Sequence, residues 1–397
     1  MSLPPAILVG ADTVNAISIL RSLARAGVDV HLLCRSRALP ARSRYGHRIP
    51  LSAGGSGRDA WAGYLLGSES DHLRGAVLLA CNDDGIEVLL EHREALERKF
   101  VLDSSDPVAQ RRMLDKLATY RAAAEAGVPT PRFWPAGSLE EVRAHESEYV
   151  YPLMLKPLYS HQFKQVLDGK YLMARDFGEL LTAYDRLVGH GLDVVLLEMI
   201  PGPDDLLCSY YTYLDDDGAP LLHFTKRIIR RYPEHEGFGC YHVTDWNPEV
   251  RDLGLRLFRH VGLKGVANVE FKRDSRDGEL KLIECNARFT AANGLLTASG
   301  YDLGLFVYSR LAGLAPPPLA QREYVRGRRL WYPAADFFAF RELRRQGRLD
   351  LAAWLRSICH RQVLPYFEWD DPVPSLVLAG RVLRTTAAVN LRKILPV

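Results

Sequence analysis

The chain has only six cysteines (Cys34, Cys81, Cys208, Cys240, Cys285, Cys359), at least thirty positions apart and never as C-x-x-C. That excludes the familiar zinc and redox motifs. Long apolar runs are missing too: nothing approaches the roughly 18 uninterrupted residues of a spanning helix, and MSLPPAILVG carries no basic segment ahead of its short apolar run. The expectation is a cytoplasmic protein with no membrane partner. Charge of one sign is also lacking. Lys and Arg number 51 against 48 Asp and Glu, a net +3 too weak to bind nucleic acid by bulk electrostatics. Neither G-x-S-x-G, H-E-x-x-H nor G-x-x-x-x-G-K-[ST] occurs, and no repeat or low-complexity tract is found.

What is present is an ordinary globular composition, 47% hydrophobic and 25% charged over 397 residues, enough for two or three domains. Residues 1–105 alternate short β-rich runs (Ala6 to Val9, Val28 to Leu33, Ala76 to Ala80, Phe100 to Leu102) with helical patterns, which predicts an α/β module with a parallel sheet. Its first turn, Gly10 to Asn15, lacks G-x-G-x-x-G, so the module is Rossmann-like without a dinucleotide fingerprint. Residues 106–200 read as a linker helix (106–126), a Pro- and Gly-rich hinge and a small α+β unit. In that unit Ser138 and Glu141 have capping-box spacing, and the apolar strands end at Lys156 and Glu198.

Residues 201–315 predict two hairpins around a helix near 248–262; the Asp215 to Gly218 run reads as a turn, since a calcium loop would require a closing Glu. Residues 316–397 form a basic, largely helical extension with fourteen Arg or Lys against seven Asp or Glu. One helical segment is expected from Phe340 to Gln362, docked on the rest of the chain.

The second hairpin carries the chemistry. In Leu282-Ile-Glu-Cys-Asn-Ala-Arg288 an extended strand puts Glu284, Asn286 and Arg288 on one side and Ile283 and Cys285 toward the core. Glu270 lies nearly opposite Glu284, with the register left open. Two carboxylates and an amide oxygen are hard donors, suited to Mg²⁺ with phosphate oxygens completing its shell. Arg288 is suited to a bidentate carboxylate or phosphate.

The order of these features resembles the ATP-grasp superfamily, in particular carboxylate-amine ligases of the D-aspartate-ligase-like kind, over residues 1 to about 315. The resemblance rests on a βαβ module, a DK helix, a strand ending K-P, a strand ending E-x-x-P-G, an E-F strand and an I-E-x-N-x-R strand. It implies an ATP-grasp fold preceded by a Rossmann-like domain, with ATP and Mg²⁺ (or Mn²⁺) as cofactors. By the same resemblance Lys116 and Lys156 contact the phosphates, and Glu198, Met199 and Ile200 form the adenine hinge. Asp204 or Asp205, with Asp205 preferred, meets the ribose, and Ser160 lies in the phosphate-covering loop, where Lys164 or Lys170 adds charge. Lys226 is a phosphate or substrate contact, and Glu270, Glu284 and Asn286 are the metal ligands. An enzyme that activates a carboxylate also needs a cation to hold it in line with the γ-phosphate, and Arg288, extending the metal face, is the residue expected there. Two departures are Ala287, where relatives have Pro, and a single glycine in the 158–169 loop.

The implied reaction joins a small carboxylate to an amine, amino acids or their derivatives, through an acyl phosphate; a homodimer is left open. A bicarbonate-activating carboxylase and an ATP-binding regulatory protein without turnover are the alternatives.

Overall fold

The computed structural model describes residues 3–35, 37–51, 57–159, 170–319 and 323–394. Its first strands are β1 (Ala6–Val9), β2 (Val30–Leu33) and β3 (His47–Arg48), with α1 (Val14–Arg25) crossing between β1 and β2. After α2 (Gly57–Leu66), β4 (Val77–Ala80) completes a parallel sheet in the order β3-β2-β1-β4. Strands β1, β2 and β4 are almost wholly buried, as expected when helices cover both faces. The run at 100–102 forms only a single bridge, Val77 to Val101, rather than the expected strand. Helices α3 (Asp83–Glu91) and α4 (Arg93–Glu97) follow. Because β1 and β4 are neighbours and β2 lies on the other side of β1, the loops after β1 and β4 open a crevice at a topological switch point. Gly10, at φ 73°, belongs there: a Cβ on it would lie 1.9 Å from Asn82 Oδ1.

The expected linker helix is two helices, α5 (Pro107–Leu114) and α6 (Lys116–Glu125). Asp115 between them is extended at ψ 117° and caps α6, its carboxylate accepting from Ala118 N at 2.9 Å. The break places Lys116 in the first turn of α6. A small antiparallel sheet comes next, in the order β5-β8-β6-β7, from β5 (Phe133–Pro135), β6 (Leu153–Pro157), β7 (Leu172–Ala174) and β8 (Val194–Glu198). Helices α7 (Leu139–Ala144) and α8 (Phe177–Val188) accompany it. At the start of α7 Ser138 accepts from Glu141 N, but the Glu141 carboxylate reaches back to Gly137 N rather than Ser138 N.

The large sheet runs β13-β12-β9-β10-β11-β14-β15. Its members are β9 (Leu207–Leu214), β10 (Phe224–Tyr232), β11 (Phe238–Asp245), β12 (Gly265–Arg273), β13 (Leu280–Asn286), β14 (Arg329–Trp331) and β15 (Gln362–Val363). Helix α9 (Pro248–Val261) packs Leu257 and Phe258 against one face. It stops at Gly262, whose φ of 68° makes a left-handed cap. The Asp215 to Gly218 run is a turn in which the Asp215 carboxylate accepts from Asp217 N and Ala219 N.

Helices α10 (Asn293–Ala298) and α11 (Leu303–Leu311) return the chain to α1. The carboxy-terminal segment is more than helical, since β14 and β15 extend the large sheet. Its expected single helix is two, α12 (Pro333–Arg345) and α13 (Leu351–Ile358), the second capped by Asp350; α14 (Val373–Ile394) closes the chain.

Two buried carboxylates fasten this segment. Asp336 accepts from Arg230 Nε at 2.6 Å and Nη2 at 3.1 Å, and from the indoles of Trp331 and Trp354 at 2.9 Å each. Asp371 accepts from Arg21 Nε at 2.9 Å and Ser43 Oγ at 2.7 Å, tying the segment to α1. All six cysteines are free thiols, and among the described residues no helix is long and apolar enough to cross a membrane.

Candidate functional site

Strands β12 and β13 pair with Asn268 opposite Asn286 and Glu270 opposite Glu284. That register puts two carboxylates and two amides on one face of the sheet. Asn286 Nδ2 donates to Asn268 Oδ1 at 3.2 Å, which fixes the orientation of the Asn286 amide and leaves its oxygen out of that bond. Beyond this pair of rungs the alternation breaks. Phe271 pairs with Leu282, so Ile283 is the extra residue of a bulge. The expected inward position of Ile283 is thereby corrected: Leu282 is fully buried in the core and Cys285 packs partly against it. The Tyr120 hydroxyl on α6 donates to Ile283 O at 2.6 Å and secures the bulge.

The same face continues across the sheet. Ser209 on β9 lies opposite Glu270, and Lys226 on β10 lies opposite Ser209. Lys226 is 2% exposed; its ammonium donates to Ser209 Oγ at 3.0 Å and stands 5.7 Å from the centre of the Tyr211 ring. Burial works against that charge, yet Tyr211 and Glu270 more than offset it and the pKa is raised. Further along, His242 on β11 donates through Nε2 to Gly239 O at 2.6 Å. Its Nδ1 is buried with no hydrogen-bond partner among the described residues. Burial, followed by the Lys226 charge, pushes His242 well below its ordinary pKa, so the ring is neutral at pH 7.

Four cations act on Glu284. Lys116 opens α6, its Nζ donating to Leu158 O at 3.2 Å. Lys156 ends β6, with its Nζ 6.0 Å from the centre of the Tyr171 ring. Burial lowers the pKa of both, Lys156 to about 8, although the Glu284 charge opposes the shift. Burial would raise Glu284 in turn, but Lys170, Lys156, Lys116 and Arg288 outweigh it and hold the carboxylate ionised below its ordinary range. Lys170 also donates to Gly237 O at 2.9 Å, joining the small sheet to the turn between β10 and β11. That turn leaves no room for a side chain at Gly237, where a Cβ would sit 1.7 Å from Tyr232 O.

The hinge residues are placed differently from one another. The Glu198 carboxylate is turned to Arg276 Nη1 at 2.5 Å and Arg132 N at 3.2 Å, so what it offers the cleft is backbone. Met199 N donates to Pro152 O at 3.3 Å, and Ile200 O accepts from Lys272 Nζ at 3.0 Å. Asp204 is buried and accepts from His235 N at 2.8 Å and Nδ1 at 3.2 Å. Asp205 beside it is exposed. Arg288 is bound from an unexpected side: Nε and Nη2 both donate to Asp83, on α3 of the first module, and Nη1 donates to Phe289 O at 3.2 Å. Ser160 and Lys164 lie outside the described residues.

Of the candidates taken from residue order, the fold gathers Lys116, Lys156, Lys226, Glu270, Glu284, Asn286 and Arg288 around one cleft. Asp83, Ser209, Asn268, Lys272 and His242 pack beside them and were not among those candidates. Asn268 carried a signal, standing two residues before Glu270 on the same strand; Asp83 carried none.

No family model matches the chain. It is 25% identical over 248 residues to a D-aspartate ligase of Enterococcus faecium (strain Aus0004), covering 60% of this chain and 59% of that protein. It is 28% identical over 213 residues to a D-alanine–D-alanine ligase of Alcanivorax borkumensis, covering 51% and 62% respectively. The chain thus spans about three fifths of the length of these curated relatives. Among solved structures, an L-amino acid ligase from Bacillus licheniformis superposes with TM-score 0.61 at 16% identity, over 83% of this chain and 79% of that one. The biotin carboxylase domain of the Hydrogenobacter thermophilus 2-oxoglutarate carboxylase, solved with MgADP and bicarbonate, gives TM-score 0.62 at 17% identity, over 83% and 74%. With the two sheets, the cleft between them and the paired acids of β12 and β13, these likenesses make the chain an ATP-grasp protein in fold.

Proposed function

We propose that the chain is an ATP-dependent carboxylate-amine ligase. In this reading a substrate carboxylate oxygen attacks the γ-phosphorus of ATP and ADP leaves. An amine then attacks the acyl phosphate carbon, and phosphate departs with the former carboxylate oxygen. The observation that supports the reading is electrostatic: Glu284, paired across the strands with Glu270, faces Lys116 and Lys156 across the cleft, anions for a divalent cation on one wall and cations for phosphate on the other.

The donor set fits Mg²⁺, which needs few protein oxygens and keeps sites for phosphate and water. Glu270, Glu284 and the Asn286 oxygen would hold the ion, which supplies charge neutralisation at the phosphates. Lys116 and Lys156 grip the phosphates, and the backbone from Glu198 to Ile200 receives the base, with Asp205 at the ribose. Lys226, charged and fixed by Ser209, supports the transferring phosphoryl group, and Arg288 holds the carboxylate in line with it. The names of the curated relatives, one printing D-aspartate and the other two D-alanines, support an amino acid as substrate.

The test is ADP release from MgATP with amino acids supplied in pairs, against bicarbonate alone and no addition, with products weighed by mass spectrometry. The reading predicts ADP formation dependent on an amino-acid pair and a new mass equal to the pair less water. ADP formed with bicarbonate alone would make it a carboxylase; MgATP bound without turnover in every mixture would make it a regulatory binder.

A further inference from the structure

The geometry points to Asp83 as a positioning residue for the carboxylate substrate, acting through Arg288; this rests on the ligase reading above. Asp83 reaches the site from the first module, 205 positions away in sequence, and takes both Nε and Nη2 of the guanidinium. Phe289 O takes one hydrogen of Nη1. A guanidinium has five N–H donors in a rigid plane. These contacts use three, and one hydrogen on each terminal nitrogen is left by them, the pair a second carboxylate would engage.

Arg288 has other carboxylates within electrostatic reach. Burial works against its charge, Asp83 does most to offset that, and Glu284 and Glu270 act on it as well. An unrestrained arginine beside those acids would pair with one of them, cancel charge a divalent cation needs and lose its own fork to it. Asp83 prevents this by holding the Nε edge from the opposite side. The side chains are 15% and 24% exposed, so the pair is only weakly screened by water. Asp83 also sits in the first turn of α3, where the helix dipole favours its ionised form.

The experiment compares Asp83→Asn, Asp83→Glu, Arg288→Lys and Asp83→Asn/Arg288→Lys, using the amino-acid pair that gives most ADP with the unaltered chain. At saturating free Mg²⁺, Asp83→Asn is expected to raise the KM for the donor carboxylate at least tenfold while the KM for MgATP stays within twofold. Asp83→Glu restores part of the loss. The double variant is no worse than Arg288→Lys alone, because the two residues act as one unit. In metal-free protein, urea unfolding of the unaltered chain, Asp83→Asn, Arg288→Lys and the double variant should show the pair coupled. The inference is overturned if Asp83→Asn leaves the carboxylate KM unchanged. It is equally overturned by a lower carboxylate KM, which would make Asp83 a competitor for Arg288, or by both KM values rising together, which would make it structural only. If the unaltered chain forms no ADP with any pair, the ligase reading itself fails and this inference with it.

Discussion

Lys156 shows how burial and function meet in one side chain. Its pKa of about 8 means that half the protein carries a neutral amine there near that pH. A phosphate binds the charged form, so affinity should be full below pH 8 and fall as pH rises through it. The KM for MgATP is expected to rise roughly eightfold between pH 7.5 and 9 by this single group, measured by ADP release at saturating amino acids. Lys156→Met should bind MgATP weakly at every pH and lose the dependence; a wild-type KM flat across that range would remove Lys156 from the phosphates. Glu284→Gln is a second residue-scale test. It keeps volume, removes one of the two paired charges and should cut turnover well beyond tenfold, about 1.4 kcal/mol or more in the barrier. Near-normal turnover in the folded variant would displace the metal assignment. Most of these groups were legible because their order along the chain is informative. Their partners were not: nothing local ties Asp83 to Arg288 or Arg276 to Glu198, which only the tertiary fold brings together.

At the scale of elements, the sequence pattern marked strands and helices but missed their interruptions. Period-two alternation through β13 assigns Ile283 to the core, and the bulge reverses it. One helical pattern spans 106–126, yet Asp115 stops α5 and caps α6, which is how Lys116 comes to point at Glu284. Both irregularities lie beside the cleft: one turns Ile283, and the other sets Lys116 in the first turn of α6. Tyr120 joins them, since it stands on α6 and donates to the bulge carbonyl. Tyr120→Phe leaves that carbonyl without its phenol and should cost about 1 kcal/mol of stability, with a matching drop in the urea midpoint and at least a threefold loss of turnover at saturating MgATP. Unchanged stability and turnover would mean that the bulge holds its form without help.

Across the whole molecule, one buried apolar cluster runs from the first module through the large sheet to the basic carboxy-terminal segment, a second joins the small sheet to the large one, and a few buried ion pairs reinforce them. Asp336 is wholly buried and answers Arg230 and two indoles, fastening α12, α13 and β14 to β10. Asp336→Ala would strand a guanidinium that is 6% exposed, a loss of about 3–5 kcal/mol by urea unfolding; a change under about 1 kcal/mol would show that water or a neighbour replaces it. The excess of arginine in this segment was visible in the sequence. That Arg230 is its anchor was not, because the anchoring carboxylate lies 106 positions away.

The central claim is that the cleft between the small and large sheets makes an acyl phosphate. The direct measurement uses a donor amino acid carrying oxygen-18 at both oxygens of its reacting carboxyl group, turned over with MgATP and the partner amino acid. Mass analysis of the released phosphate should find one labelled oxygen in each molecule, carried from the carboxylate when the amine displaces it. Phosphate without label, formed alongside ADP and the amide, would contradict the account.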